Sequence, residues 1–214
     1  DDTAFPFMSY REGTVAGVPA RIMRISFSGE RAYEVNVPAP HGLRVWEALY
    51  EAGREFGITP YGTETMHVLR AEKGFIIVGQ DTDGSVTPVD LGMETMVAKT
   101  KDCIGKRSLA RSEMRRPDRK QLVGLLPDDP RFVLPEGAQV LAGEPAPPPA
   151  AMAGHVTSSY LSPTLERSIA LALVAGGLQR MGQRVHVAMR DGRTTTATIT
   201  SPVFYDPKAE RQHA

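Results

Sequence analysis

The sequence predicts an α+β protein in two parts, an antiparallel sheet with helices followed by a small all-β barrel. Two observations carry this prediction. Residues 1–116 mix short alternating segments with amphipathic helical stretches, whereas residues 117–214 contain short strand-like segments separated by turns rich in proline and glycine. The composition changes at a linker near residues 117–119, so we predict two domains, 1–116 and 117–214.

A hairpin is predicted near the start of the chain. Its strands cover residues 22–27 and 32–37, and the chain reverses at Ser28-Gly29-Glu30-Arg31. Alternation places Tyr33 on the apolar face of the second strand and Glu34 on the opposite face. A solvated sheet face explains Glu34 most simply. The alternative is a covered face on which a bound ligand supplies hydrogen-bond donors to the carboxylate.

Three helices follow the hairpin. The first is predicted over residues 41–56 and ends at Gly57, and the second over 63–73 ends at Gly74. The third is predicted over 106–114. On the first helix one apolar stripe is expected to face the core, and it consists of Leu43, Trp46, Leu49, Tyr50 and Phe56.

The second part of the chain reads as six short strands. Their alternation and their turn-rich connections are typical of a small barrel. The predicted strands cover residues 121–126, 138–141, 152–158, 169–174, 184–189 and 194–201.

Composition and motif spacing exclude several classes of function. Lys plus Arg equals Asp plus Glu at 25 each, so no overall charge favours nucleic acid or an anionic membrane, and no apolar run is long enough to span one. The single cysteine fits a reducing cytoplasm, and the five histidines lack metal-ligand spacing. The sequence contains no glycine-rich dinucleotide fingerprint and no nucleophile elbow. The D-T-D-G stretch at 81–84 favours turn chemistry over calcium binding.

Several motifs together resemble one known family. F-S-G-E-R-A-Y-E-V at 27–35 resembles the Y-T-G-E-x-G-Y-E-I hairpin of the glycine-cleavage T-protein family of folate-dependent aminomethyltransferases. L-R-A-E-K-G at 69–74, the segment at 79–93, G-H-V-T-S at 154–158 and the closing P-V-F-Y-D-P resemble later family motifs in the same order. Within the family, the chain most resembles the carboxyl-terminal part of the alpha subunit of heterotetrameric sarcosine oxidases.

The resemblance implies a folate-binding domain that is partial at its start, then the family's barrel. It implies that Glu34 clamps the N–H groups of the pterin edge, with Glu30 as the second candidate, and that Arg70 lies at the folate site. Tyr33 belongs to the same set, as does Phe27, which stands where the family commonly has tyrosine. The resemblance begins partway into the family pattern, so we expect the family's catalytic aspartate upstream, no catalytic residue here, and no activity for these residues alone.

The resemblance also implies a reaction and its partners. Tetrahydrofolate would capture the one-carbon unit of oxidised sarcosine as 5,10-methylenetetrahydrofolate, releasing glycine. FAD, FMN and NAD would bind elsewhere in the parent complex. The implied partners are an upstream dinucleotide-binding part of the same polypeptide, a flavin-bearing beta subunit and small subunits. The alternatives are a glycine-cleavage aminomethyltransferase and a non-catalytic folate-binding protein of the same fold.

Overall fold

The computed structural model describes residues 3–213. The strands and helices of this part are, in chain order, β1 (Ser9–Val15), β2 (Val18–Arg24), β3 (Glu34–Asn36), α1 (Gly42–Gly53), α2 (Thr63–Glu72), α3 (Lys106–Leu109), β4 (Lys120–Pro127), β5 (Gln139–Leu141), β6 (Met152–Ser162), β7 (Arg167–Ala175), β8 (Arg184–Ala188), β9 (Thr194–Thr200) and α4 (Glu210–His213). They confirm the α+β class. Within residues 3–213, no helix is both long and apolar enough to cross a membrane.

The described chain forms two compact units. The first contains the residues up to 70 together with those from 206 onward, and the second contains residues 71–205. The domain bounds 1–116 and 117–214 stay a prediction.

The first unit contains an antiparallel sheet in the order β1-β2-β3. β1 and β2 are joined at Ala16-Gly17, where both residues have positive φ. β2 pairs with β3, as the hairpin prediction requires. Compared with the predicted strands, β2 begins and ends earlier in the chain and β3 is shorter. The predicted four-residue reversal at 28–31 was wrong, because nine residues, 25–33, connect the two strands.

The helices begin where the sequence predicts. α1 continues into a 3-10 turn over Arg54–Phe56 and ends at Gly57, which has φ +72°. α2 ends one residue before its predicted last residue. The third helix is shorter than predicted, because Arg111 is extended and a separate 3-10 turn follows at Ser112–Arg115.

The second unit contains a closed six-stranded barrel in the order β4-β7-β6-β5-β8-β9, which confirms the barrel prediction. Its interior is filled by small and branched apolar side chains, including Val123, Leu125, Val140, Ala172 and Ile199. A second apolar cluster lies outside the barrel wall. There Leu122, Leu171 and Leu173 pack against Ile76, Val86, Leu91 and Phe204. The segment after α2 therefore covers one side of the barrel.

Candidate functional site

The predicted clamp residue, Glu34, lies on an open face of the three-stranded sheet. It pairs with Met23 across β2, and Asn36, two residues on, pairs with Arg21. Because directly opposed residues share a face, these four side chains lie on the same side of the sheet. The Glu34 side chain is exposed, and a shallow cleft of about 510 Å³ lined by Met23, Arg21, Asn36 and Glu12 adjoins it. The described residues leave this face free for a ligand.

Tyr33 lies beside a buried arginine. The Arg24 guanidinium is 5.5 Å from the centre of the Tyr33 ring, and the centre of the Phe5 ring is 5.8 Å from it. Arg24 is 1% exposed and donates to the carbonyl oxygens of Phe5 (3.2 Å) and Gln212 (3.1 Å). A cation over an aromatic ring stabilises the ring's position, more so where water is excluded. Arg24 thus orients Tyr33.

Sequence reasoning missed Arg24, although a signal was present. On β2, every second residue points to the covered face of the sheet, namely Val18, Ala20 and Ile22. Arg24 is the next residue in that series. A charged residue in a buried register position requires partners and merits inspection for that reason.

The two other hairpin candidates occupy the 25–33 connection. Phe27 is 38% exposed, and its ring can form a wall for a ligand. Glu30 accepts hydrogen bonds from Arg211 Nε at 2.7 and 2.8 Å, one to each carboxylate oxygen. This N–H is shared between the two oxygens, and the resulting ion pair attaches the connection to α4. The carboxylate of Glu30 is thus already paired with a cation.

Arg70 is completely buried in the last turn of α2. A cation at this position interacts favourably with the carboxyl-terminal end of the helix dipole. Arg70 therefore does not lie on the open face that carries Glu34. The roles of Glu34, Arg70, Phe27, Glu30 and Tyr33 at a folate site stay predictions.

Glu72 belongs to the barrel unit. Its carboxylate accepts a hydrogen bond from Ser162 Oγ at 2.5 Å, and its backbone oxygen accepts from the amides of Phe204 and Tyr205, both at 2.9 Å. Gly74 follows with φ +69°, and a β-carbon there would lie 2.6 Å from the carbonyl oxygen of Pro202. Within the second unit, Glu72 and Gly74 therefore attach the start of the segment after residue 70 to the barrel.

Asp81 performs a similar anchoring role at the G-Q-D-T-D-G segment. It is fully buried and accepts hydrogen bonds from Thr157 Oγ1 (2.5 Å), Ser158 Oγ (2.7 Å) and the Ile77 amide (2.9 Å). Asp83 instead accepts from the Ser85 amide and hydroxyl within the turn, which lowers its pKa. Asp83 thus performs the predicted turn chemistry. No three His, Cys, Asp or Glu side chains within residues 3–213 cluster in a way that could hold a metal ion.

A third anchor involves Asp90, in the T-P-V-D part of the same segment. Its carboxylate accepts from Arg119 Nη2 at 2.8 Å and from the Thr87 amide at 2.8 Å. Burial opposes ionisation of this group, but the hydrogen bonds from Arg119 and Thr87 outweigh it and lower the pKa of Asp90. The motifs after residue 71 therefore hold the barrel unit together.

Two family models match consecutive parts of the chain. The GCVT N-terminal domain matches residues 1–101, and the glycine cleavage T-protein C-terminal barrel domain matches residues 120–206. A solved structure, glycine cleavage system aminomethyltransferase T from Bartonella henselae, has a similar fold with a TM-score of 0.77 and 23% identity. That match covers 92% of this chain and 52% of the Bartonella protein.

Curated relatives match nearly the whole chain. The sarcosine oxidase alpha subunits of Corynebacterium sp. (strain P-1) and Rhizobium meliloti (strain 1021) are 53% and 44% identical over 98% and 99% of this chain. An aminomethyltransferase from Thermotoga petrophila is 33% identical over 96%. The chain spans 22% of each of the two alpha subunits and 54% of the Thermotoga protein. From these matches and from the fold, the chain belongs to the glycine-cleavage T-protein family, which includes the aminomethyltransferases.

Proposed function

We propose that this chain is the folate-binding region of a sarcosine oxidase alpha subunit. The observation that carries the proposal is the 44–53% identity to sarcosine oxidase alpha subunits across nearly all of the chain. Aminomethyltransferases are 31–36% identical over a similar share of the chain, which makes that activity the second candidate. The proposed product is 5,10-methylenetetrahydrofolate, formed with release of glycine.

Glu34 is the proposed clamp for the pterin. The edge of the pterin ring presents an amide N–H and an amino group side by side, and a carboxylate can accept a hydrogen bond from each. The exposed side chain and the adjoining cleft leave room for a planar ring to approach. Glu30 ranks second because Arg211 already occupies its carboxylate.

Tyr33 and Phe27 are proposed to contact the ring faces. Tyr33 is held by Arg24 and Phe5, so ordering it on binding costs little conformational entropy. Phe27 can stack on a ring or exclude water from it, but it has no hydroxyl to donate. Arg70 is proposed to act from the interior, where its planar guanidinium can pair with a carboxylate or a polar ring edge.

The proposed chemistry is a transfer between nitrogens. When bound, tetrahydrofolate would supply two amine nitrogens that bond to the methylene carbon of oxidised sarcosine, while both bonds of its C=N group break and the two folate N–H protons pass to the nitrogen of the released glycine. The residues of this chain hold the acceptor in place, which raises its effective concentration at the arriving iminium. Without folate, water adds to the methylene carbon, and hydrolysis of the C=N bond releases the one-carbon unit as formaldehyde together with glycine.

The oxidation itself is assigned to other parts of the complex. Because the chain spans only 22% of the sarcosine oxidase alpha subunits, we propose that the parent polypeptide carries a dinucleotide-binding part that holds NAD. FAD and FMN are proposed to serve the oxidation, with a flavin-bearing beta subunit and small subunits completing a cytoplasmic heterotetramer.

A trimethylamine-oxide aldolase from Ruegeria pomeroyi is 35% identical over 97% of this chain. We infer that the choice of amine depends on residues outside this chain.

Calorimetric titration of the parent polypeptide with 5-formyltetrahydrofolate, a stable reduced folate, tests the proposal. Glu34→Gln keeps the size of the side chain but replaces one acceptor oxygen by a donor, so binding should weaken by about 10- to 150-fold, the equivalent of a charge-assisted hydrogen bond. The matched control is Glu47→Gln, an exposed glutamate on α1, which should leave the affinity unchanged.

Two results distinguish the candidate functions. The sarcosine oxidase proposal is supported if sarcosine is turned over and the product depends on folate. The expected product is methylenetetrahydrofolate when folate is present and formaldehyde when folate is absent. Folate binding without turnover of sarcosine supports an aminomethyltransferase or a non-catalytic binding protein instead. The absence of folate binding by the unmodified parent polypeptide would refute the folate site altogether.

A further inference from the structure

The outer side of α1 carries a continuous set of exposed apolar side chains. Trp46 is 58% exposed, and Leu43, Leu49 and Tyr50 accompany it on the same stripe of the helix. The sequence correctly predicts this stripe, but its assignment to the core was wrong. The residue of α1 that is buried is Val45, at 4% exposure, which lies one helical turn before Leu49 at the edge of the stripe.

This stripe forms one wall of a groove. We use the term outer groove for the concave surface of about 420 Å³ lined by Tyr33, Trp46, Leu49, Tyr50, Ile58, Thr59, Pro60 and Tyr61. Six of these eight side chains are large apolar or aromatic groups, and their exposed fractions range from 37% at Tyr50 to 62% at Tyr61. Single exposed apolar residues are ordinary, but a contiguous and concave patch of them marks an interaction surface.

The composition of the outer groove favours a protein occupant. Tryptophan and tyrosine each bury a large area on contact and dominate the energetics of protein interfaces. The apolar stripe of α1 passes from Val45, which is covered within the first unit, to Trp46 and Leu49, which line the outer groove.

The relatives indicate what occupies the outer groove. The Thermotoga aminomethyltransferase and the solved Bartonella structure match 96% and 92% of this chain, yet this chain accounts for only 54% and 52% of their lengths. A protein of this fold therefore contains about as much chain again. We propose that the outer groove is covered by a further part of the same aminomethyltransferase-like fold, carried by the parent polypeptide outside these 214 residues. The inference does not use folate binding as a premise, and its test reads Trp46, Tyr50 and Tyr61 rather than Tyr33, the groove residue that is also a proposed folate contact.

Hydroxyl-radical footprinting of the unmodified parent polypeptide, read residue by residue by mass spectrometry, tests the proposal. The groove residues Trp46, Tyr50 and Tyr61 are compared with Phe56, which is 82% exposed and does not line the groove. After normalisation to unfolded peptides of the same sequence, the groove residues should react at least about fivefold more slowly than Phe56, as expected of covered side chains. This protection should persist at every protein concentration.

Three outcomes would overturn the proposal. Groove residues that react as fast as Phe56 would show that the groove is open. Protection that disappears on dilution, together with a change from dimer to monomer in sedimentation velocity, would identify a second copy as the occupant. Protection that appears only after partner subunits are added would identify a partner chain.

A pair of substitutions provides an independent readout. Trp46→Glu in the parent polypeptide introduces a charge into the proposed interface and should lower the thermal midpoint, whereas Phe56→Glu should leave it unchanged. Equal effects of the two substitutions would contradict the proposal. If Trp46→Glu prevents folding, the footprint of the unmodified protein still decides the question.

Discussion

Replacing Asp81 by alanine is expected to destabilise the barrel unit severely. The carboxylate is fully buried, and three donors point at it, namely the hydroxyls of Thr157 and Ser158 and the amide of Ile77. A hydrogen bond to a charged acceptor contributes about 1.5–3 kcal/mol, so three bonds would sum to at least about 4.5 kcal/mol if they were independent.

The expected loss is smaller than that sum because some donors find other partners. Thr157 Oγ1 also lies 3.2 Å from the carbonyl oxygen of Leu171 and can donate to it when Asp81 is absent. The Ile77 amide loses its carboxylate acceptor. We expect Asp81→Ala to lower the free energy of unfolding by about 3–5 kcal/mol, which corresponds to a midpoint about 6–20 °C lower.

The assay is urea unfolding followed by far-ultraviolet circular dichroism. The matched control is Asp83→Ala two residues later, which removes hydrogen bonds only to Ser85 in an exposed turn and should cost no more than about 0.5 kcal/mol. The double variant with Thr157→Val should cost at least about 0.5 kcal/mol less than the sum of the single changes, because both act on one network. Equal costs for Asp81→Ala and Asp83→Ala would refute the anchoring role of Asp81.

Two further predictions concern the other anchors. Gly74→Ala should lower the free energy of unfolding by about 2–4 kcal/mol, because the new β-carbon would meet the carbonyl oxygen of Pro202 in a left-handed backbone conformation. The control is Gly92→Ala, at φ +71° with nothing within 4 Å of the added β-carbon, and it should cost only about 1 kcal/mol in the same unfolding assay. Asp90 has a pKa below its usual 3.8, so its stabilising effect is complete above that pH and is lost as the pH falls through the lower folded value. The stability difference between the wild type and Asp90→Asn should therefore shrink below pH 4 in unfolding series from pH 2 to 7, and a constant difference would contradict the ionised pair with Arg119.

The barrel was predictable because each of its strands carries a local signal. Alternation and turn residues mark all six strands to within a few residues, and the interior then follows from which side chains point inward. The connection at 25–33 was not predictable in the same way. Gly29 supports a tight turn locally, but the register of β3 with β2 sets the length of the connection, and register depends on tertiary pairing.

Periodicity also identified the apolar stripe of α1 without showing which protein covers it. A hydrophobic period reports that a helix face avoids water, and it cannot distinguish cover within the described chain from cover by another part of the protein. Trp46 and Tyr50 therefore fitted the core prediction and still proved exposed. The anchors at Glu72 and Asp81 bond to partners 90 and 76 residues away along the chain, a distance that no local pattern spans.

The two units therefore provide different kinds of evidence about function. In the second unit, the motif residues Glu72 and Asp81 are occupied by hydrogen bonds to the barrel, so their presence in this sequence supports the fold. In the first unit, Glu34 is exposed on an open sheet face, where stability does not require a carboxylate. A loss of folate affinity in Glu34→Gln with an unchanged unfolding midpoint would assign that residue to binding. The same loss in Asp81→Asn, accompanied by a lower midpoint, would reflect only the smaller folded fraction.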